Sequence, residues 1–224
     1  KNEKIIKKNR NIERSSEQKK LKKKKKDSEK KILLKDNSLK LQKKNEIVIS
    51  DKSNNPLETI NQLHEGLKVG LAINYNDTNK IMKLIKTTYD IEKMISMIVG
   101  NSWKNIEEDK RKKINIVFEE YVAKNYIKRF RKLRALDFKI LEKKKVAEKY
   151  FMVKSKLIFN ESEKINIDYL LVFKKNRWKI FDVLLAESIS EIATKKSEFS
   201  SFVKNGKIDS LIQALEVKNS KLIN

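Results

Sequence analysis

From Pro56 onward the apolar positions follow first a helical and then a strand period. Leu57, Ile60, Leu63, Leu67 and Leu71 recur at helical spacing, and Pro56 after Asn54-Asn55 suits a first helical position. Ile81, Leu84 and Ile85 predict a second helix over roughly 77–87. A third runs from Asp90 with Ile91, Met94, Ile95 and Ile98 on one face, and Gly100 is placed to end it. A longer helix follows, seeded by Glu107, Glu108 and Asp109 at its positive end. Its apolar face is Ile114, Val117, Phe118, Tyr121, Val122 and Tyr126, continuing to Phe130 and Leu133. Lys112, Lys113, Lys124, Lys128, Arg129, Arg131, Lys132 and Arg134 form the opposite face, the ordinary pattern of a solvated helix.

After Leu136 the period becomes two. Phe138-Lys139-Ile140-Leu141 predicts a short strand and Tyr150–Phe159 a long one. Ile165–Phe173 and Trp178–Leu185 flank Lys174-Lys175-Asn176-Arg177, the signature of a β-hairpin. Leu170-Leu171-Val172-Phe173 and Ile180-Phe181 are apolar on both faces. Such strands call for a second apolar layer, or an apolar ligand, on the face that the core helices do not fill. Past Glu187 the helical period returns through Ile189, Ile192, Phe199 and Phe202-Val203, breaks at Asn205-Gly206, and resumes with Ile208, Leu211, Ile212 and Leu215. The expectation is an α+β domain in which helices pack on an antiparallel meander of about four strands.

Residues 1–53 differ from all of this. They carry 20 Lys and Arg against eight Asp and Glu, with no aromatic residue and a run at Lys22–Lys26. Half of the net charge of +24 therefore sits in less than a quarter of the 224 residues. Such a block cannot bury enough apolar surface to offset its ordering entropy, so it reads as a disordered basic tail ahead of a domain over 54–224. The charge calls for an anionic partner, either nucleic acid or an acidic membrane surface.

The chemistry available is narrow. Zero cysteine removes disulfides, thiolate metal sites and a cysteine nucleophile, and the single His64 builds neither a zinc site nor an ordinary triad. His64 is expected at the boundary of its apolar stripe. An enzyme would need a buried carboxylate, and Asp168 and Asp182 are the two that the strands offer; each also suits a turn cap or an ion pair. No apolar run reaches the length of a bilayer span, and Ile32-Leu33-Leu34 is too short for a secretory h-region. Trp103 and Trp178 read as packing anchors near element ends.

Several motifs in order resemble one family. Tyr89-Asp90-Ile91-Glu92-Lys93-Met94 followed by Val99-Gly100-Asn101-Ser102-Trp103 is similar to the "Phe-Asp … Met … Leu-Gly-x-x-Trp" pattern of the MlaC/toluene-tolerance family. Phe118, Tyr121 and Tyr126 match the spaced aromatics of its long helix. Trp178-Lys179-Ile180-Phe181-Asp182-Val183 resembles "Trp-Lys-Val-Tyr-Asp-Val", and Glu187-Ser188-Ile189-Ser190 resembles "Glu-Gly-Val-Ser". Phe199 and Gly206–Ile212 complete the set, which covers about residues 55–220. One extra residue separates Asp182 from Glu187, and Ser188 and Lys196 replace the usual Gly and Arg.

The resemblance implies a periplasmic carrier, not an enzyme. It would bind a phospholipid by its acyl chains, as cargo rather than cofactor, and pass it between inner- and outer-membrane complexes of an ABC-type transport system. A hopanoid or other lipid carrier of the same family is the nearest alternative. Combining apolar period with position on the long helix or central strands gives the expected cavity lining: Phe118, Val122, Tyr126, Val153, Leu157, Leu171, Phe173 and Phe181. The tail is expected to hold the chain at an anionic membrane. A nucleic-acid module is the other reading that the charge permits, but the aromatics do not interleave with Lys and Arg on one strand face as base stacking requires.

Overall fold

The computed structural model describes residues 50, 53–73, 78–130, 136–159, 163–203 and 208–222. Residues 1–49, 51 and 52 of the basic tail, the side chain of Leu71, the positions Arg131–Arg134 and the Asn205-Gly206 break lie outside the described residues.

Five strands form one antiparallel sheet in chain order: β1 (Asp137–Ala147), β2 (Tyr150–Ile158), β3 (Lys164–Lys174), β4 (Arg177–Leu185) and β5 (Ile189–Ser190). The expected hairpin is β3–β4. Its two-residue loop, Lys175-Asn176, has φ of 52° and 60°, the pair of left-handed residues that a type I′ turn needs. The sheet exceeds the four expected strands by the two-residue β5. Strand β1 also runs well past Leu141. Its second half is exposed and its register slips between Ile140 and Glu142 and between Lys145 and Ala147, so no burial alternation marks it in the sequence. Pairing with β2 sustains it, and Lys143, Lys144 and Lys145 guard this edge strand against other chains.

Among the described residues four helices precede the sheet: α1 (Pro56–Ile73), α2 (Thr78–Thr88), α3 (Ile91–Val99) and α4 (Glu108–Phe130), with a 3₁₀ turn at Gly100–Asn105. Gly66 lets α1 and α2 meet, since a Cβ there would stand 2.6 Å from Leu84 Cδ2. Asp90 caps α3 by accepting from the Lys93 N–H at 3.2 Å, and its own N–H donates to the Ile180 carbonyl at 2.7 Å. Tyr89 bridges to Ile180, so the start of α3 is fastened to β4. Gly100 ends α3 at φ +74°.

After the sheet come α5 (Glu191–Glu198), α6 (Ser200–Val203) and α7 (Ile208–Leu222). Helix α7 lies along α4, where Asn219 Nδ2 donates to the Val117 carbonyl at 2.9 Å and Lys124 Nζ to the Asn219 carbonyl at 3.0 Å.

One face of the sheet carries the core. Val153, Leu157, Ile167, Tyr169, Leu171, Ile180 and Val183 are buried there with Ile60, Leu63, Leu67, Ile81, Leu84, Ile85, Ile95 and Ile98. The alternate set on the same strands, Met152, Leu170, Val172 and Leu184, is half-buried. The hairpin breaks alternation by a bulge: Leu170 pairs with Asp182 and Leu171 with Ile180, which leaves Phe181 as the extra residue. His64 is not at a boundary but buried. Its ring stacks on Phe138 with centroids 4.1 Å apart, and Nε2 lies 3.1 Å from the Tyr169 hydroxyl.

Candidate functional site

A cavity of about 350 Å³ opens between α4, α5 and the core face of β2–β4. Its walls are Phe118, Tyr121, Val122, Tyr126 and Phe130 from α4, Tyr89 and Met94 from around α3, and Leu157, Phe159, Ile165, Ile167, Val183 and Leu185 from the sheet, closed by Ile192 of α5. Asn125, Arg129, Glu191 and Lys195 add polar groups along one side. The spacing accounts for this division. Phe118, Val122 and Asn125 followed by Arg129 continue one stripe of α4, while Glu191 and Lys195 are one turn apart on α5. On the strands, Ile165 and Ile167 share the parity of Tyr169, and Val183 and Leu185 face the same way.

Four of the eight residues expected to line the cavity do so: Phe118, Val122, Tyr126 and Leu157. Val153 and Leu171 are fully buried in the core instead. Phe173 is 50 % exposed against Trp178, with ring centroids 5.4 Å apart. Phe181 sits in the bulge against Tyr150 (5.1 Å), with Lys93 Nζ 4.7 Å from its ring centroid. The expectation took the turn end of the hairpin, whereas the cavity is at the other end. Toward the turn end Tyr89 and Asp90 instead fasten α3 to Ile180. The cavity also lies on the helical side of the sheet, not on the face that the helices leave. Ile167, Val183 and Leu185 belong to the two apolar runs, but nothing in their spacing says which end of the runs is left open.

The floor is uncharged. The Tyr89 and Tyr126 hydroxyls hydrogen-bond to each other. Burial pushes the Tyr126 phenol up to about 12 and that of Tyr89 well above its ordinary value, so both stay protonated. The mouth is charged but paired. Arg129 Nη1 lies 2.8 Å from Glu191 Oε1, and Lys195 Nζ lies 2.6 Å from Glu198 Oε2. Burial works against both cations; their carboxylate partners outweigh it and hold both pKa values above the ordinary range. Asn125 donates Nδ2 to the Tyr121 carbonyl at 2.7 Å, which leaves Oδ1 as an acceptor.

Neither strand carboxylate lines the cavity. Asp182 accepts from the N–H groups of Val183 (2.8 Å) and Ile192 (3.1 Å) and from the Ser190 hydroxyl (2.7 Å), so it joins β4 to α5. Asp168 is buried, and burial raises its pKa. Among the described residues no cluster of His, Asp and Glu is arranged to hold a metal, and no helix is long and apolar enough to cross a membrane.

Residues 58–217 match the family described as MlaC protein. The chain belongs to the MlaC family. Among solved structures, it is similar to the phospholipid-binding protein from Ralstonia solanacearum, determined in complex with a phospholipid. The TM-score is 0.62 at 18 % identity, over 75 % of this chain and 98 % of that one, so the likeness is one of fold. A comparison with the curated proteins gives no match. The MlaC fold thus accounts for nearly everything from α1 to α7, and the MlaC family is one of lipid-binding carriers.

Proposed function

We propose that this protein binds a phospholipid by its acyl chains and carries it through the periplasm between inner- and outer-membrane components of an ABC-type lipid transport system. The cavity carries this reading: its walls are aliphatic and aromatic, its floor phenols are neutral, and its charges are confined to one side. Family membership and the phospholipid in the Ralstonia protein support it.

A cavity of about 150 Å³ takes a benzene, which scales this one to roughly fourteen carbon atoms, or one acyl chain. A two-chain lipid therefore widens it on loading. Burial contributes about 0.8 kcal/mol per CH₂, so two chains of about sixteen carbons represent roughly 25 kcal/mol gross. A membrane offers nearly the same stabilisation, so transfer at either end is close to thermoneutral and needs no energy source within the carrier. The basic tail adds attraction to anionic membrane.

The test is transfer. Protein loaded with labelled phospholipid is mixed with proteoliposomes holding the inner-membrane transport complex. Passage of label to the complex is expected, and label that stays on the protein would contradict the shuttle.

A further inference from the structure

We infer that the mouth of the cavity selects zwitterionic phospholipids whose headgroup carries a hydrogen-bonding ammonium, of the phosphoethanolamine type, over anionic ones. This rests on the carrier reading and names the class of cargo.

The cations at the mouth do not stand as a bare positive patch. Arg129 faces Glu191 at 2.8 Å, and Lys195 faces Glu198 at 2.6 Å. Arg129, Glu191 and Lys195 all line the cavity, so two cations and a carboxylate border it. Arg129 uses Nη1 on Glu191, and a guanidinium has five N–H donors, so others remain for a phosphate. Lys195 Nζ has three donors and gives one to Glu198 and a second to the Tyr121 side chain, which leaves one. The acceptors are the Glu191 carboxylate, 19 % exposed, and Asn125 Oδ1, freed because its amide nitrogen is bound to the Tyr121 carbonyl.

A phosphodiester bound by Arg129 and Lys195 brings the group two carbons further along toward these acceptors. A primary ammonium there completes the set, because it replaces the charge that the phosphate draws away from Glu191 and donates up to three hydrogen bonds. A glycerol headgroup leaves the phosphate charge uncompensated beside Glu191. A trimethylammonium compensates charge but has no N–H to donate.

The experiment offers the full-length protein vesicles of four phospholipids with identical acyl chains: phosphatidylethanolamine, phosphatidylcholine, phosphatidylglycerol and phosphatidic acid. Bound lipid is then identified by extraction and mass spectrometry. These groups are partly open to water, so the preference for the ethanolamine over the glycerol lipid is expected at about three- to fivefold. Glu191→Gln should erase that preference, and Glu191→Asp should retain it. Arg129→Gln should lower loading of all four. Loading in proportion to supply, or an unchanged preference in Glu191→Gln, overturns the proposal and leaves the carrier reading standing. No lipid in any arm overturns both.

Discussion

The Asp182 carboxylate of β4 and the Ser190 hydroxyl just before α5 meet at 2.7 Å. Ser190 caps α5 by accepting from the Ala193 N–H at 2.9 Å, while the other Asp182 oxygen accepts from Ile192. One carboxylate thus fixes where α5 starts, and α5 brings Glu191, Ile192 and Lys195 to the cavity. Asp182→Ala leaves the buried N–H groups of Val183 and Ile192 without this acceptor and should cost about 2–4 kcal/mol. Asp182→Asn, which retains an acceptor oxygen, should cost less. Urea denaturation measures both, and an Asp182→Ala variant as stable as the parent would show that the junction is not held here.

Cavity and core are separable by substitution. Val122 lines the cavity, and Val122→Trp should fill it, lowering lipid loading severalfold while the circular-dichroism spectrum stays native. Leu171 is fully buried and faces packed core, so Leu171→Asp should unfold the domain rather than merely empty it. Loading unchanged in Val122→Trp would place the lipid elsewhere.

This pair also shows what was legible beforehand. The long helix with Phe118, Val122 and Tyr126 followed from its 3.6-residue period, and the β3–β4 hairpin from two apolar runs around a polar turn. Period alone cannot locate a void, because Leu171 and Leu157 look alike in sequence and differ only in what packs over them. The clamp of Tyr89 and Asp90 on Ile180 is a long-range contact that no local spacing encodes. The polar mouth was hidden for a similar reason. Arg129 lies within a run of basic residues that reads as a solvated face, and its pairing with Glu191 joins positions 62 residues apart.

His64 gives the domain an acid sensitivity of its own. Burial, then the nearby Lys68, lowers its pKa to about 3 in the folded state, against about 6.5 when unfolded. The unfolded chain therefore binds the extra proton below pH 6.5. The stability held by neutral His64 is complete above that pH and is lost as pH falls toward 3, at about 1.4 kcal/mol per unit. Melting temperature between pH 6.5 and 4.5, above most carboxylate titration, should fall in the parent. His64→Gln should flatten that slope, and an equal slope in both would refute the assignment.

The tail carries a net +12 in residues 1–53. Each basic residue near an anionic leaflet contributes about 1 kcal/mol, screened within a Debye length. A shortened chain should begin at Ser50 rather than Asn54, since the Ser53 hydroxyl meets Thr59 at 2.8 Å and its backbone pairs with Arg177. Co-sedimentation with anionic vesicles is expected to be stronger for the full chain at low salt and to converge with the short one at high salt. Equal binding at low salt would make the tail irrelevant to membrane association.

The central claim is that the cavity between α4, α5 and the sheet holds a phospholipid. Native mass spectrometry of protein purified gently, followed by organic extraction, reads this directly. The account predicts a mass above that of the bare chain by one phospholipid, with the same lipid recovered in the extract. A mass equal to the bare chain, with no lipid extracted, would contradict it.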